Sequence, residues 1–156
     1  MQQSIHNSGI AKHGAHYSLF DSGSLTDWVK NTVDIPGLGK VPGKLFLKDV
    51  MGFTSCEISI NAMPPGQGMP FHHKHAENEE IYIFIHGSGQ MQIDGVTLPV
   101  REGSVVRLSP EGVRTWRNNG SETLVYVVMQ MRDKSLRQYG LTDGFVVPDK
   151  PVIWPS

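Results

Sequence analysis

From Leu45 onward the chain is a succession of short β-forming runs broken at regular intervals by turn residues, and that rhythm restricts it to an all-β fold. Phe53–Ala62 alternates apolar and polar residues. Glu80–Ile85, Gly89–Ile93, Val96–Val100, Ser104–Leu108, Val113–Arg117 and Leu124–Met131 follow it. Asp94-Gly95, between Ile93 and Val96, is the strongest short hairpin signal in the chain. Pro64-Pro65-Gly66, Ser109-Pro110-Glu111-Gly112 and Asn118-Asn119-Gly120 mark further turns. Strands this short at this spacing read as a sandwich or barrel.

The N-terminal residues 1–45 lack that rhythm. Ser24–Lys30 reads as one short helical turn capped by Ser24 or Thr26, and Asp34–Lys44, rich in Pro and Gly, reads as loop. After Arg132 the pattern weakens, and Pro148–Ser156 reads as an extended tail. The expected organisation is an irregular N-terminal extension over 1–45, packing on the barrel or on a dimer partner, a barrel over 46–132, and a C-terminal extension over 133–156.

Composition excludes several classes of function. At 156 residues the chain suits one domain with its own core. A formal net charge of -1 provides no field to attract nucleic acid or an anionic membrane surface. No apolar run approaches the roughly 20 residues that cross a bilayer. The first residues lack the basic-then-apolar order of a secretory signal. The single cysteine, Cys56, rules out an intramolecular disulfide and fits a reducing cytoplasm. No Gly-rich phosphate loop, nucleophile elbow or zinc-finger spacing is present.

The chemistry concentrates in Phe71-His72-His73-Lys74-His75, which is followed by an acidic turn and a strand beginning at Glu80. Neutral imidazole and carboxylate together suit a borderline divalent metal such as Zn, Fe, Ni or Mn. Residues two apart in a strand share a side, so His73 and His75 can aim at one point while His72 faces away. Glu80 can return to that point through a turn at 76–79. The competing reading is a set of polar residues hydrogen-bonded to one another inside a barrel. Glu77 and Glu79 are rival carboxylates.

The same residues carry a resemblance. His73-Lys74-His75, four residues, Glu80, six residues and Gly87 reproduce the first motif of the cupin superfamily; the motif's leading glycine is replaced by Gln67, flanked by Gly66 and Gly68. The second motif is matched by Gly103, Pro110-Glu111-Gly112 and Asn119, with one extra residue after the glycine. Its histidine is missing: the position is Thr115 or, with the alignment shifted by one, Arg114 paired with Asn118. No histidine or cysteine follows His86.

The resemblance covers roughly residues 50–131. It implies a double-stranded β-helix, or jelly-roll barrel, with a small-molecule pocket. It implies a metal held by His73, His75 and Glu80, and it favours Glu80 over its neighbours. Two histidines and one carboxylate also form the facial triad of Fe(II) oxygenases. Arg114, if it points inward, brings a cationic fork suited to a carboxylate or phosphate; on the surface it would pair with Glu111 or Glu122. Tyr82 shares a face with Glu80 and either walls the pocket or packs. Gln130 can reach a ligand from the opposite strand, and Arg107 can face either way.

The expected function is a metal-dependent enzyme acting on a sugar, a sugar phosphate or a hydroxy or keto acid, in the manner of the sugar phosphate isomerases among small cupins. The alternatives are a non-catalytic sensor or carrier and an Fe(II) dioxygenase. Small cupins commonly dimerise through their sheets, so a cytoplasmic homodimer is expected.

Overall fold

A computed structural model describes residues 2–6, 11–141 and 143–155. Among these described residues thirteen strands follow one another: β1 (Gln2–Ser4), β2 (Lys12–His13), β3 (Ser18–Leu19), β4 (Thr32–Ile35), β5 (Gly39–Pro42), β6 (Lys44–Phe46), β7 (Glu57–Met63), β8 (Asn78–His86), β9 (Ser88–Ile93), β10 (Val96–Arg101), β11 (Val105–Leu108), β12 (Arg114–Arg117) and β13 (Leu124–Arg132). A 3₁₀ helix spans Leu25–Lys30 and a single α-helical turn, α1, spans Lys48–Met51.

Two sheets make the body. One has five strands in the order β11-β8-β13-β7-β6, and the other has three in the order β10-β9-β12. Every pairing in them is antiparallel. Non-sequential neighbours such as β8-β13 and β9-β12 give the crossed connections of a jelly roll rather than a simple meander. The sheets close on Tyr82, Phe84, Met91, Val100, Leu108, Trp116, Leu124, Tyr126 and Val128. These side chains come from alternate positions, as a pleated strand requires. Within this core, Trp116 Nε1 donates to the Tyr126 hydroxyl at 2.7 Å, so neither polar tip is left unsatisfied.

The outer face of the large sheet carries a second cluster, in which Trp28 packs with Leu45, Ile60, Ala62 and Val125. The 3₁₀ helix delivers Trp28 to it. Ser24 is its N-cap residue, one of the two expected, but its side chain makes no cap bond to the backbone; the hydroxyl donates to Asp27 Oδ2 at 2.8 Å.

Two further elements depart from the sequence reading. Asp34–Lys44 is not loop throughout, because β4 and β5 form a hairpin on which β1 also pairs. Pro36-Gly37 supplies its turn: Gly37 has φ 82°, and the Leu38 N–H closes onto the Ile35 carbonyl. The Pro-Gly pair thus bends a strand pair instead of ending regular structure. The strand expected from Phe53 begins only at Glu57, since the Phe53 N–H is still tied to the Lys48 carbonyl at the end of α1, past the left-handed Gly52, and the chain bends at Thr54 and Ser55.

The Asp94-Gly95 hairpin forms as read, with both residues at positive φ (49° and 84°) as a type I′ turn demands. Among the described residues no strand follows Arg132. Among the same residues no helix is long and apolar enough to cross a membrane.

Candidate metal centre

His73 and His75 lie on the segment that enters the barrel ahead of β8, and Glu80 lies on β8 itself. The backbone of His73 exchanges two 3.0 Å hydrogen bonds with Arg114 of β12, so these two residues are direct opposites across the barrel's mouth. The His75 N–H donates to the Pro110 carbonyl at 3.1 Å. Two fixed backbone points therefore pin both imidazoles over Glu80. Each of the three residues offers a ligand atom within 4.8 Å of the others.

Glu80 is buried at 6% exposure, and its two oxygens have separate partners. Oε2 accepts from Arg114 Nη2 at 2.5 Å and from the Tyr82 hydroxyl at 2.9 Å. Oε1 lies 3.0 Å from His75 Nε2 and accepts from Gln130 Nε2 at 3.4 Å. Gln130 Nε2 also lies 3.0 Å from His75 Nε2, and Gln130 Oε1 accepts from Asn78 Nδ2 at 3.1 Å. Burial opposes the charge on Glu80, but the Arg114 hydrogen bond and charge, with His75 and Tyr82, outweigh it and hold its pKa below the usual carboxylate value. The Tyr82 phenol is pushed well up by its own burial and by the Glu80 charge, so it stays protonated and donating.

His73 sits edge-on among the rings of Phe71, His75 and Trp116, with centroids 5.6–6.0 Å away. That burial, followed by the Arg114 charge, pushes its pKa down to about 4. The imidazole is therefore neutral at pH 7, the form a metal ligand requires. His73 Nδ1 is buried with no hydrogen-bond partner. An orphaned imidazole nitrogen beside a carboxylate oxygen and a second imidazole is a donor set that fits a divalent cation.

The remaining candidates sort by side. Arg114 is wholly buried, which ends its reading as a surface arginine paired with Glu111 or Glu122. Its Nη1 donates to the Gly112 carbonyl at 3.0 Å, while Nε has no partner. Thr115 faces out and donates to the Met69 carbonyl at 3.2 Å. Asn118 is buried and Asn119 exposed, so the shifted alignment is the one the chain adopts, and an arginine stands where the second-motif histidine belongs.

Arg114, Tyr82 and Gln130 all direct their polar tips at Glu80 or His75. His72 faces away and pairs with Gln92 at 2.8 Å. Glu79 pairs with the outward-facing Arg107 at 2.7 Å, and Glu77 is exposed near Arg132, so neither rivals Glu80. A cleft of about 340 Å³ lies on the outer face of the small sheet around Gln90, Gln92 and Arg117, and neither His73 nor His75 lines it.

Sequence reasoning overlooked a second polar group inside the barrel, Lys44, Ser59 and Asn61. The signal was available for two of them, because Ser59 and Asn61 alternate with Ile58, Ile60 and Ala62 along β7.

The family described as Cupin domain matches residues 60–130, the stretch that carries the three ligand candidates and most of both sheets. A cupin protein from Bacteroides fragilis is 36% identical, with a TM-score of 0.65 over 67% of this chain and 88% of that one. A predicted oxalate decarboxylase from Thermotoga maritima is 23% identical, with a TM-score of 0.54 over 65% of this chain and 90% of that one. A sugar phosphate isomerase of the cupin superfamily from Silicibacter pomeroyi is 19% identical, with a TM-score of 0.52 over 57% and 58%. These last two share the fold. No curated protein matches significantly. With the first-motif spacing intact, the jelly roll formed and a 36%-identical cupin spanned over most of its length, the chain belongs to the cupin superfamily.

Proposed function

We propose that this cupin holds one divalent metal on His73, His75 and Glu80 and acts on a small polar molecule in its barrel. The observation that carries this reading is the convergence of the three donors within 4.8 Å. The unpartnered His73 Nδ1 adds to it. Two imidazoles and a carboxylate suit Zn, Fe, Ni or Mn. Such an ion, when bound, polarises a carbonyl or lowers the pKa of a bound water.

The other residues of the cluster position the ligands. Arg114 and Tyr82 fix Glu80 Oε2 and so turn Oε1 toward His75, the side on which the ion would sit. Gln130, itself oriented by Asn78, sets the His75 ring. The substrate class this chemistry serves is a sugar, a sugar phosphate or a hydroxy or keto acid, with an isomerase-like reaction. Fe(II) in the same triad would extend the chemistry to a dioxygenase.

Elemental mass spectrometry on tag-free protein beside a His73→Ala/His75→Ala variant tests the centre. About one equivalent in the wild type, lost in the variant, is the expected result, and the identity of the metal divides isomerase from oxygen chemistry. No uptake after loading with each candidate ion would overturn it.

One observation favours a second reading, a non-catalytic sensor or carrier. Arg114 occupies the second-motif histidine position and ion-pairs with Glu80, so the cluster carries its own counter-charge. Stabilisation by a ligand without turnover is the result that reading requires.

The assembly we propose is a cytoplasmic homodimer. Its support is the apolar outer face of the large sheet around Val105, which is 64% exposed, and the single half-buried cysteine, which suits a reducing compartment.

A further inference from the structure

Lys44 is the first residue of β6, at one edge of the large sheet. It lies opposite Asn61, which lies opposite Tyr126. Directly paired residues of antiparallel strands project to the same face. Tyr126 belongs to the cluster between the sheets, so Lys44 stands on the barrel's inner wall. Its ammonium lies 2.9 Å from Asn61 Oδ1, 3.2 Å from Ser59 Oγ and 4.7 Å from the centre of the Phe46 ring. Ser59 is one pleat closer than Asn61 to the row of Glu80 and Gln130, so the lysine stem runs along the wall toward the metal-ligand candidates.

The hydrogen bonds of this group do not close. Asn61 Nδ2 donates to the Ser59 carbonyl and to Ser59 Oγ, and its Oδ1 is taken by Lys44. Ser59 Oγ therefore accepts twice, and its own proton has no acceptor among the described residues. Lys44 has three donors and two acceptors. Asn61 is saturated and fixed, while a hydroxyl and an ammonium beside it each keep a donor to spare. The charge does not close either. Among the described residues Lys44 makes no ion pair; Glu80 is engaged by Arg114, and Glu57 Oε1 accepts from the N–H groups of Leu47 and Lys48. An unpaired ammonium in a half-buried site is costly unless an anion joins it. Burial, only partly offset by the fields of Glu80 and Glu57, pulls the amine down to about 8.

We infer that Lys44 and Ser59, positioned by Asn61, form an oxyanion subsite on the barrel's inner wall that takes a carboxylate or phosphate group of the small molecule bound there. The inference rests on the proposed use of the barrel as a small-molecule site, but not on the metal. It also relocates the cationic contact, because both terminal nitrogens of Arg114 are engaged, Nη2 by Glu80 and Nη1 by the Gly112 carbonyl.

The test is calorimetric titration of the full chain, stripped of metal so that no probe is chelated, with malonate in one arm and inorganic phosphate in the other. The arm that binds identifies the oxyanion. Lys44→Met should weaken that probe about tenfold or more, about 1.4 kcal/mol. Lys44→Arg should restore most of the loss, and Ser59→Ala should weaken binding severalfold, which keeps the test decisive if Lys44→Met does not fold. Metal uptake by Lys44→Arg and Ser59→Ala should equal that of the wild type. Wild-type affinity in Lys44→Met or Ser59→Ala, or binding of neither probe at millimolar concentration, overturns the inference. Loss of metal reading alone, with the probe still bound through Lys44, would leave it standing.

Discussion

Arg114 Nη2 donates to Glu80 Oε2 at 2.5 Å, with the arginine side chain wholly buried and the glutamate side chain nearly so. The pair joins β12 of the small sheet to β8 of the large one, so it ties the two layers together at the mouth that also holds both histidines. Removing one partner of such a pair leaves an uncompensated charge out of water, which costs about 3–5 kcal/mol. Arg114→Met should lower stability by that amount in urea denaturation. Arg114→His tests the site differently. It supplies the missing imidazole opposite His73 and should tighten Zn binding about tenfold, about 1.4 kcal/mol. Unchanged Zn affinity in Arg114→His would show that position 114 does not face the ion.

Acid should destabilise the metal-free protein in two stages. His73 has a folded pKa of about 4 against an ordinary 6.5, so between those values the unfolded chain binds more protons and stability falls as pH falls. Glu80 is held below its ordinary 4.5 despite burial, chiefly by Arg114; its contribution is present above that value and is lost as pH falls through the folded pKa. The urea midpoint should therefore drop from pH 6.5 toward pH 4.5, and His73→Gln should flatten that part of the curve. Parallel curves for the two proteins would remove His73 from the account.

The ligand candidates were legible because their geometry is local. Alternation puts His73 and His75 on one side, and the resemblance to the first cupin motif, through its six-residue step to Gly87, selects Glu80 over Glu79. Asp94-Gly95 was legible for the same reason, since two residues fix the turn. What the sequence concealed was long-range. Whether Arg114 or Thr115 faces inward depends on how β12 registers against the His73 segment and β9, and no local pattern reports that. Lys44 is hidden more deeply. It begins a three-residue strand, too short to show alternation, and its face is set only by pairing with Asn61. The Pro36-Gly37 hairpin was misread because the same two residues that end a strand also turn one.

Gly87, the closing glycine of the first motif, is required by both backbone and space. Its φ is 79°, and a Cβ there would lie 2.6 Å from the Thr123 carbonyl oxygen. The contact is with backbone, which cannot rotate away. Gly87→Ala should cost about 1–3 kcal/mol in chemical denaturation. A loss no greater than that of an exposed Gly→Ala change, such as at Gly144, which has open space around it, would refute the steric argument.

Lys44 should announce its lowered pKa by reactivity. With a value of about 8, roughly half of its amine is neutral at pH 8, against about one in 250 for an ordinary lysine near 10.4. Under limiting acetylating reagent at pH 8, peptide mass spectrometry should find Lys44 modified ahead of the exposed Lys40 and Lys48. Labelling of all three at similar rates would place its pKa near the ordinary value.

The outer face of the large sheet presents Val105 opposite Ile83, and Ile83 opposite Val127, with Met129 opposite Ile81 one pleat away. The 3₁₀ helix covers the β7 end of this face with Trp28, while the β11 end retains Val105 at 64% exposure. An exposed apolar strip at the edge of a sheet invites self-association, and in a two-fold dimer the same strip meets itself, so one substitution acts twice. Light scattering at micromolar concentration should give the dimer mass. Val105→Asp should shift it to the monomer without loss of melting temperature, because the side chain is already exposed in the protomer. A monomer mass for the wild type would dismiss the dimer. A dimer that persists in Val105→Asp would move the interface to another face.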